Sequence, residues 1–242
     1  MKITHIKHSC FCVELEKAVL LFDYFDGPLP EFDSRKDLYV FSSHVHPDHF
    51  GFAVFERMDA YENVHYILSR DIHKKFNEKF FYKKGVSADT YEKILFVKAN
   101  ETYEIGNIKV ETLLSTDIGV AYVVEAEDKC IYHAGDLNWW SWPGESREEA
   151  ERRETQFKKQ IAKIQGRHFD IAFHPLDSRQ EENFYKGFDW FMRSTDTDMI
   201  CPMHYWEDEA VIDKIKEMDC AKAYREKIKY VKELEVLPYG SL

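Results

Sequence analysis

The chain has 242 residues, of which 44% are hydrophobic and 32% charged, and its formal net charge at pH 7 is −11. This composition excludes a disordered chain, and the length predicts a single domain over residues 1–242 with one sizeable hydrophobic core. The acidic balance argues against nucleic acid as a partner, because phosphate binding relies on clustered Lys and Arg. Composition therefore agrees with a soluble enzyme but does not point to one.

The sequence also predicts where the protein works. No apolar stretch approaches the ~20 residues needed to cross a bilayer, and residues 1–6 lack the apolar core of a signal peptide. The five cysteines form no C-x-x-C pair, and an odd count favours reduced thiols. We therefore expect a cytoplasmic protein with no membrane partner.

Short β-rich runs dominate the first half of the chain. The predicted strands span residues 3–6, 11–15, 19–23, 39–42, 64–68, 94–97, 108–113, 120–125 and 130–133. Helices are predicted over 52–61 and 71–83, the second with Ser69 as its cap.

Longer helical segments mark the second half. Phe157, Ile161 and Ile164 recur at helical spacing within the charged segment 145–164. An aromatic helix over 184–192 and a helix from about Asp208 follow, interrupted by predicted strands over 169–173 and 199–202. Strands and helices mixed in this way favour layered α/β packing.

One segment carries most of the functional information. His44, His46, Asp48 and His49 fall within six residues, directly after an apolar predicted strand. Imidazole nitrogen and carboxylate oxygen are ligands that zinc prefers, and Pro47 biases His46 away from helical geometry. A strand end followed by a tight turn directs successive side chains differently, so this segment can serve two neighbouring metal ions.

This motif resembles the H-x-H-x-D-H signature of the metallo-β-lactamase superfamily. Three further segments match in the order that the family requires: a hairpin ending in Asp23, a strand leading to Asp136, and a late strand ending in His204. The nearest branch is similar to the ascorbate-phosphate lactonase-like proteins. The resemblance implies an α/β fold of the metallo-β-lactamase type, a four-layer αββα sandwich, which the pattern alone does not select.

The resemblance also implies a ligand set. His44 and His46 would hold a first metal ion, Asp48, His49 and His204 a second, and Asp136 would bridge the two. The expected cofactor is zinc, as two ions, with manganese or iron as alternatives. Two such ions share a hydroxide that attacks the substrate. Asp48 is also a candidate catalytic residue.

The sequence departs from the family where a further histidine is usual. Residues 114–120 contain none, and Asp117 is the natural substitute, because a carboxylate also ligates zinc, manganese or iron. The alternative is that Asp117 caps a helix or accepts a turn hydrogen bond. In that case only His44, His46 and the bridge would remain at the first site.

Several other residues have two interpretations. His174 is a candidate catalytic proton carrier at the rim of the site, and His133 either supports the site or is a buried structural residue. By resemblance, His8 and Ser9 lie near the metal pocket without ligating, and Asp23 holds the motif loop through hydrogen bonds.

Aromatic and cationic residues follow the bridge position. Trp139, Trp140 and Trp142 form either a packed lid or a stacking wall for a ring-bearing substrate. Arg179 either binds an anionic substrate group or pairs with a nearby glutamate.

The leading functional prediction is a metal-dependent hydrolase that uses a metal-bound hydroxide on an ester, lactone, amide or phosphodiester of a small molecule. The alternative is a non-catalytic metal- or metabolite-binding sensor that keeps the fold. A redox member using iron and a flavin partner is a third option, kept open by Asp117. A homo-oligomer is compatible with the sequence, although no signature indicates one.

Overall fold

Two β-sheets pack face to face, with helices on their outer faces. The computed structural model describes residues 1–58 and 61–232, and the backbone of residues 236–238. The first sheet contains β1 (Lys2–Lys7), β2 (Cys10–Glu14), β3 (Ala18–Phe22), β4 (Asp37–Ser42), β5 (Val64–Ser69), β6 (Ile94–Val97) and β13 (Val236–Pro238). The second contains β7 (Thr102–Ile105), β8 (Ile108–Leu114), β9 (Val120–Ala126), β10 (Lys129–His133), β11 (His168–Pro175) and β12 (Asp196–Met203).

Both sheets mix antiparallel and parallel pairing. The first runs in the spatial order β13-β1-β2-β3-β4-β5-β6 and is parallel from β3 to β6. The second runs β12-β11-β10-β9-β8-β7 and is parallel from β12 to β10. In each sheet, parallel strands therefore end at a common edge, where the loops that follow them lie side by side.

Seven helices within the described residues cover the sheets: α1 (Ala53–Met58), α2 (Arg70–Lys75), α3 (Glu78–Lys83), α4 (Ala88–Glu92), α5 (Arg147–Ile161), α6 (Lys186–Ser194) and α7 (Ala210–Glu217). Helices α1 to α3 share a hydrophobic cluster with outward-facing residues of the first sheet, such as Val40. Helices α5 to α7 pack on the second sheet. Alternation along β10 separates the layers, because Tyr132 stacks on Phe191 of α6 whereas His133 stacks on Phe22 of the opposite sheet. The predicted αββα sandwich is confirmed.

Local chemistry explains where elements differ from the prediction. The segment predicted as one helix over 71–83 is two helices, because Phe76 is extended and the Asn77 side chain accepts a hydrogen bond from the Phe80 amide at 3.1 Å, which starts α3. Ser69 precedes α2 as predicted but makes no side-chain cap hydrogen bond. The predicted helix 52–61 reaches residues 59–60, which lie outside the described residues.

Helix α5 replaces the predicted helix 145–164. It starts behind Ser146, whose side chain accepts from the Glu149 amide, and continues as a 3₁₀ turn over Ala162–Ile164. Strands β7 and β13 and helix α4 had no sequence prediction. No helix in the described part of the chain combines the length and apolar character that crossing a bilayer requires.

Candidate metal centre

Loops at the ends of β1, β3, β4, β10 and β12 meet at one edge of the sandwich. Three site residues there have left-handed backbone conformations: His8 (φ 53°), Asp23 (φ 50°) and His204 (φ 62°). Such values are uncommon in residues other than glycine, and they cluster at functional sites where surrounding structure maintains the strain.

The first group of ligand atoms comes from His44, His46, Asp117 and Asp136, all within 4.8 Å of one another. His44 Nε2 lies 3.0 Å from His46 Nδ1 and 3.4 Å from Asp136 Oδ2. Asp117 Oδ2 lies 3.6 Å from His46 Nδ1, and its side chain is half exposed. This position is compatible with the ligand interpretation of Asp117, which stays a prediction.

The second group comprises His8, Asp48, His49 and His204, whose ligand atoms also lie within 4.8 Å of one another. Asp48 Oδ2 lies 3.9 Å from His49 Nε2 and 3.4 Å from His8 Nε2. Sequence reasoning placed His8 near the pocket without a ligand role, yet its imidazole nitrogen reaches the group.

Asp136 joins the two groups with one carboxylate oxygen directed to each. Oδ2 faces His44, whereas Oδ1 lies 3.2 Å from His49 Nε2 and 3.5 Å from His204 Nε2. Asp136 Oδ1, His49 Nε2 and His8 Nε2 are buried and have no hydrogen-bond partner among the described residues. Because buried polar atoms are normally satisfied, this convergence of imidazole nitrogens and carboxylate oxygens fits divalent metal ions.

Asp23 holds the motif loop in place from behind. Its carboxylate accepts hydrogen bonds from the Ser43 amide at 2.6 Å, the Ser43 hydroxyl at 2.7 Å and His49 Nδ1 at 2.7 Å. Ser43 Oγ also lies 2.9 Å from His44 Nδ1. The predicted role of Asp23 is confirmed, and the bond to Nδ1 leaves Nε2 of His49 to face the centre.

Asp177 orients His204 through a hydrogen bond to Nδ1, as Asp23 orients His49. Its Oδ2 accepts from His204 Nδ1 at 3.0 Å, and the same buried carboxylate pairs with Arg179. Sequence reasoning missed this residue. The available signal was its position two residues after a buried strand, similar to that of Asp23 directly after β3.

The two buried histidines His44 and His49 have pKa values that are shifted in opposite directions. Burial raises the pKa of Asp23, but His49 and His133 outweigh it and lower the value to about 2. Burial lowers the pKa of His49, but Asp136 and Asp23 outweigh it and raise the value to about 9. Burial and the neighbouring His49 lower the pKa of His44 to about 3. In the metal-free protein, His44 is therefore neutral and ready to ligate, whereas His49 carries a proton that a metal ion must displace.

Two glycines let neighbouring loops approach the motif. A Cβ on Gly119 (φ 78°) would lie 2.0 Å from the Ser43 carbonyl oxygen and 2.5 Å from His44 Cβ. A Cβ on Gly135 (φ 49°) would lie 2.6 Å from Ser43 Cβ. Only glycine fits at both positions, so the loops carrying Asp117 and Asp136 are packed directly on the motif.

The centre opens into a cavity of about 270 Å³ whose walls include Trp140, Trp142, Arg153, Arg179 and Trp206. The rings of Trp140 and Trp142 are stacked with centroids 5.4 Å apart. The Arg179 guanidinium lies 5.5 Å from the Trp142 ring and 4.8 Å from the Trp206 ring.

The tryptophans after the bridge thus have different surroundings. Trp140 and Trp142 line the cavity, whereas Trp139 packs against Trp190 and beneath Lys158. Among the described residues, Arg179 pairs with an aspartate, Asp177, where a glutamate was predicted as the alternative. Packing therefore accounts for Trp139 and for the buried Trp140, and the stacking role of the segment stays a prediction.

The structure does not bring His174 to the rim, and this prediction needs correction. Its side chain is fully buried, and its ring is surrounded by Tyr132, Phe157, Phe188 and Phe191. The alternation of β11 directs it outward to helices α5 and α6, whereas Phe173 faces the opposite sheet.

His133 is also a buried structural residue. Its Nε2 donates to the Ser9 carbonyl oxygen at 2.9 Å, and its Nδ1 lies 3.8 Å from Asp23 Oδ2. It therefore lies behind Asp23, one step further from the centre.

Comparisons with known proteins agree with this architecture. A family model described as "Beta-lactamase superfamily domain" matches residues 2–189. A metal-dependent hydrolase of Alkaliphilus metalliredigens is 26% identical over 153 residues, which is 56% of this chain and 63% of that protein. The chain thus spans less than two thirds of the length of this curated relative.

Solved structures are similar over nearly the whole chain. A metallohydrolase from the archaeon Ignicoccus hospitalis superposes with a TM-score of 0.64 at 16% identity, covering 98% of both chains. A diiron β-hydroxylase from Streptomyces venezuelae has a TM-score of 0.63 at 13% identity, covering 98% of this chain and 53% of that one. At such identities the likeness concerns the fold alone.

Proposed function

Since the chain belongs to the metallo-β-lactamase superfamily, we propose that it is a metal-dependent hydrolase of small molecules with two divalent ions at the centre described above. Zinc is the proposed metal, with manganese and iron as alternatives. The arrangement of Asp136 supports this proposal most directly, because its two oxygens face two separate groups of imidazoles and carboxylates.

The residues of the centre have separate proposed roles as ligands and as orienting groups. His44, His46 and Asp117 would hold one ion, Asp48, His49 and His204 the other, and Asp136 both. Ions held there supply Lewis acidity and lower the pKa of a water molecule towards neutrality. Asp23 and Asp177 orient the imidazoles, so little reorganisation is needed when substrate binds.

The cavity walls support a substrate with an anionic group and a flat group. Nε and Nη2 of Arg179 pair with Asp177, which holds the guanidinium at the mouth, while its side chain remains half exposed. Arg153 lies on the same cavity and contacts Glu145 through Nε. The two guanidiniums can bind a carboxylate or phosphate, and the partly exposed Trp142, which stacks on the buried Trp140 ring, offers a surface for a planar group.

A metal and substrate survey tests the proposal. We expect about two equivalents of metal per chain and turnover of at least one class in a panel of esters, lactones, amides and phosphodiesters. Asp136→Ala should lose both metal and activity. Asp128→Ala, which removes an exposed aspartate that forms an ion pair with Lys129, should lose neither.

The other outcomes identify the alternatives. One tightly held equivalent and no turnover across the panel would favour the sensor. Bound iron with reductant-dependent oxygen consumption would favour a redox enzyme. Wild-type protein that binds no divalent metal would reject the proposal entirely.

A further inference from the structure

We propose that His8 is a direct ligand of the second metal ion, in addition to Asp48, His49 and His204. This inference rests on the two-metal centre of the proposed function. It adds a residue from the turn between β1 and β2, which lies outside the motif that the sequence identifies.

The position of the imidazole nitrogen is the first argument. His8 Nε2 lies within 4.8 Å of the ligand atoms of Asp48, His49 and His204. The side chain is 7% exposed, and Nε2 has no hydrogen-bond partner among the described residues. Leaving such an atom unsatisfied is costly, and a cation in the middle of the group would satisfy it.

Packing fixes the ring in this orientation. Its centroid lies 4.3 Å from that of His204 and 4.6 Å from that of Trp206, with His49 edge-on at 5.6 Å. The ring therefore lies between two aromatic neighbours, one of which is itself a proposed ligand. A ring held in this way loses little rotamer freedom when it ligates.

The backbone of His8 has an uncommon conformation. Its φ of 53° is left-handed, a conformation that is uncommon outside glycine and that Asn, Asp and His adopt more often than other residues. His5 Nε2 donates to the His8 carbonyl oxygen at 3.0 Å, which stabilises the turn. Glycine would also fit this turn, so the backbone alone does not require a histidine here.

An ion pair with Asp48 is the competing explanation. At 3.4 Å, His8 Nε2 and Asp48 Oδ2 are close, but the contact is not a hydrogen bond of good geometry. Both atoms instead lie at mutual distances that ligands of one ion adopt. The pair explains a contact between two residues, whereas ligation explains the arrangement of four.

Ligation by His8 changes the coordination number. Together with Asp136 Oδ1, the second site offers five protein donors, whereas the first offers four. An ion that accepts six ligands can use all five and keep one position for water or substrate. An ion with tetrahedral coordination cannot bind all five donors.

Cobalt titration of His8→Gly tests the proposal. Glycine accepts the left-handed backbone, so the turn should survive, and thermal unfolding of the metal-free variant verifies that it folds. Losing a residue that only orients a ligand weakens metal binding by up to about 100-fold. Removing a direct ligand should therefore weaken binding of the second Co²⁺ by at least about 100-fold. The d–d absorption of that ion should intensify and shift, as it does when coordination number falls.

Imidazole and two further variants separate ligation from structure. Millimolar imidazole should restore the wild-type spectrum of His8→Gly, because it can occupy the space of the missing side chain. His8→Asn, which keeps the backbone conformation, should resemble His8→Gly. His73→Ala removes an exposed histidine of α2 and should leave both cobalt sites unchanged.

Each result has one meaning. If wild-type protein binds two Co²⁺ and His8→Gly binds both with unchanged affinity and spectrum, the ligand role of His8 is wrong and the two-metal proposal stands. If wild-type protein fails to bind two ions, the proposed function itself fails.

Discussion

The Asp177 carboxylate accepts a hydrogen bond from His204 Nδ1 at 3.0 Å, which directs the Nε2 of that histidine to the candidate metal centre. His204 comes from the end of β12 and Asp177 from the loop after the neighbouring strand β11, so parallel pairing of these strands creates the contact. Burial raises the pKa of Asp177, but the hydrogen bonds from His204 and Arg179 outweigh it and lower the value to about 2. The carboxylate is therefore ionised throughout the physiological range.

Replacing this carboxylate should weaken metal binding without removing a ligand. Asp177→Asn keeps the size of the side chain but loses the charge that orients the His204 imidazole. We expect the affinity for one of the two ions to fall by about 10- to 100-fold. Calorimetric titration with Zn²⁺ measures the change. Arg179→Gln removes the other partner of Asp177 and should leave metal affinity within about threefold, so equal losses in both variants would contradict the orienting role.

Asp117 should determine whether the first site retains its metal ion. Asp117→Ala removes a carboxylate 3.6 Å from His46 Nδ1, leaving His44, His46 and Asp136, and metal content should fall from about two equivalents to about one. Asp117→His supplies the ligand type that the superfamily usually places there and should retain two. Elemental analysis after dialysis measures both values. Two retained equivalents in Asp117→Ala would show that Asp117 is a turn residue only.

Metal uptake should release a proton and strengthen with pH. Because Asp136 and Asp23 raise the pKa of His49 to about 9 against the effect of burial, the metal-free imidazole is protonated at neutral pH. A ligating imidazole must be neutral, so apparent affinity should rise about tenfold per pH unit and level off near pH 9. Titration calorimetry in buffers of different ionisation enthalpy counts the protons. Affinity that does not change between pH 6.5 and 9 would contradict this account.

His174→Phe should leave metal binding and turnover unchanged. The residue is fully buried among four aromatic rings, and burial lowers the pKa of its imidazole to about 4, so it is neutral at physiological pH. Its Nε2 has no hydrogen-bond partner among the described residues. Phenylalanine removes the unpartnered Nε2, but it also loses the hydrogen bond from Nδ1 to the Pro175 carbonyl oxygen at 3.1 Å and adds volume, so we expect the melting temperature to fall modestly. A loss of kcat with two metals still bound would reinstate the predicted catalytic role.

Sequence reasoning located most of the strands, the motif and the bridge, because each has a local signature. Asp23, His44, Asp48 and Asp136 follow apolar runs that form β3, β4 and β10. The four-layer arrangement came from resemblance, since the same elements are compatible with other α/β architectures.

Three features depend on tertiary contacts that no local pattern reveals. Asp177 reaches His204 only because β11 and β12 are adjacent, and His8 reaches His49 only because the turn between β1 and β2 lies over the motif. His174 was misplaced because an apolar strand with both faces buried gives no indication of which face points to the site.

Gly119→Ala should disrupt the centre although no ligand changes. A Cβ there would lie 2.0 Å from the Ser43 carbonyl oxygen, a backbone atom that cannot move without displacing His44. Gly144 has the same φ of 78° but no heavy atom within 4 Å of a built Cβ, so Gly144→Ala measures the backbone strain alone. We expect Gly144→Ala to cost about 1–2 kcal/mol of unfolding free energy and Gly119→Ala to cost about 2 kcal/mol more, because the clash adds to the strain.

Urea denaturation of the metal-free proteins gives both values, and metal analysis should show a loss for Gly119→Ala only. Equal costs in the two variants, with full metal content in both, would mean that the loop carrying Asp117 is not held against the motif by this contact.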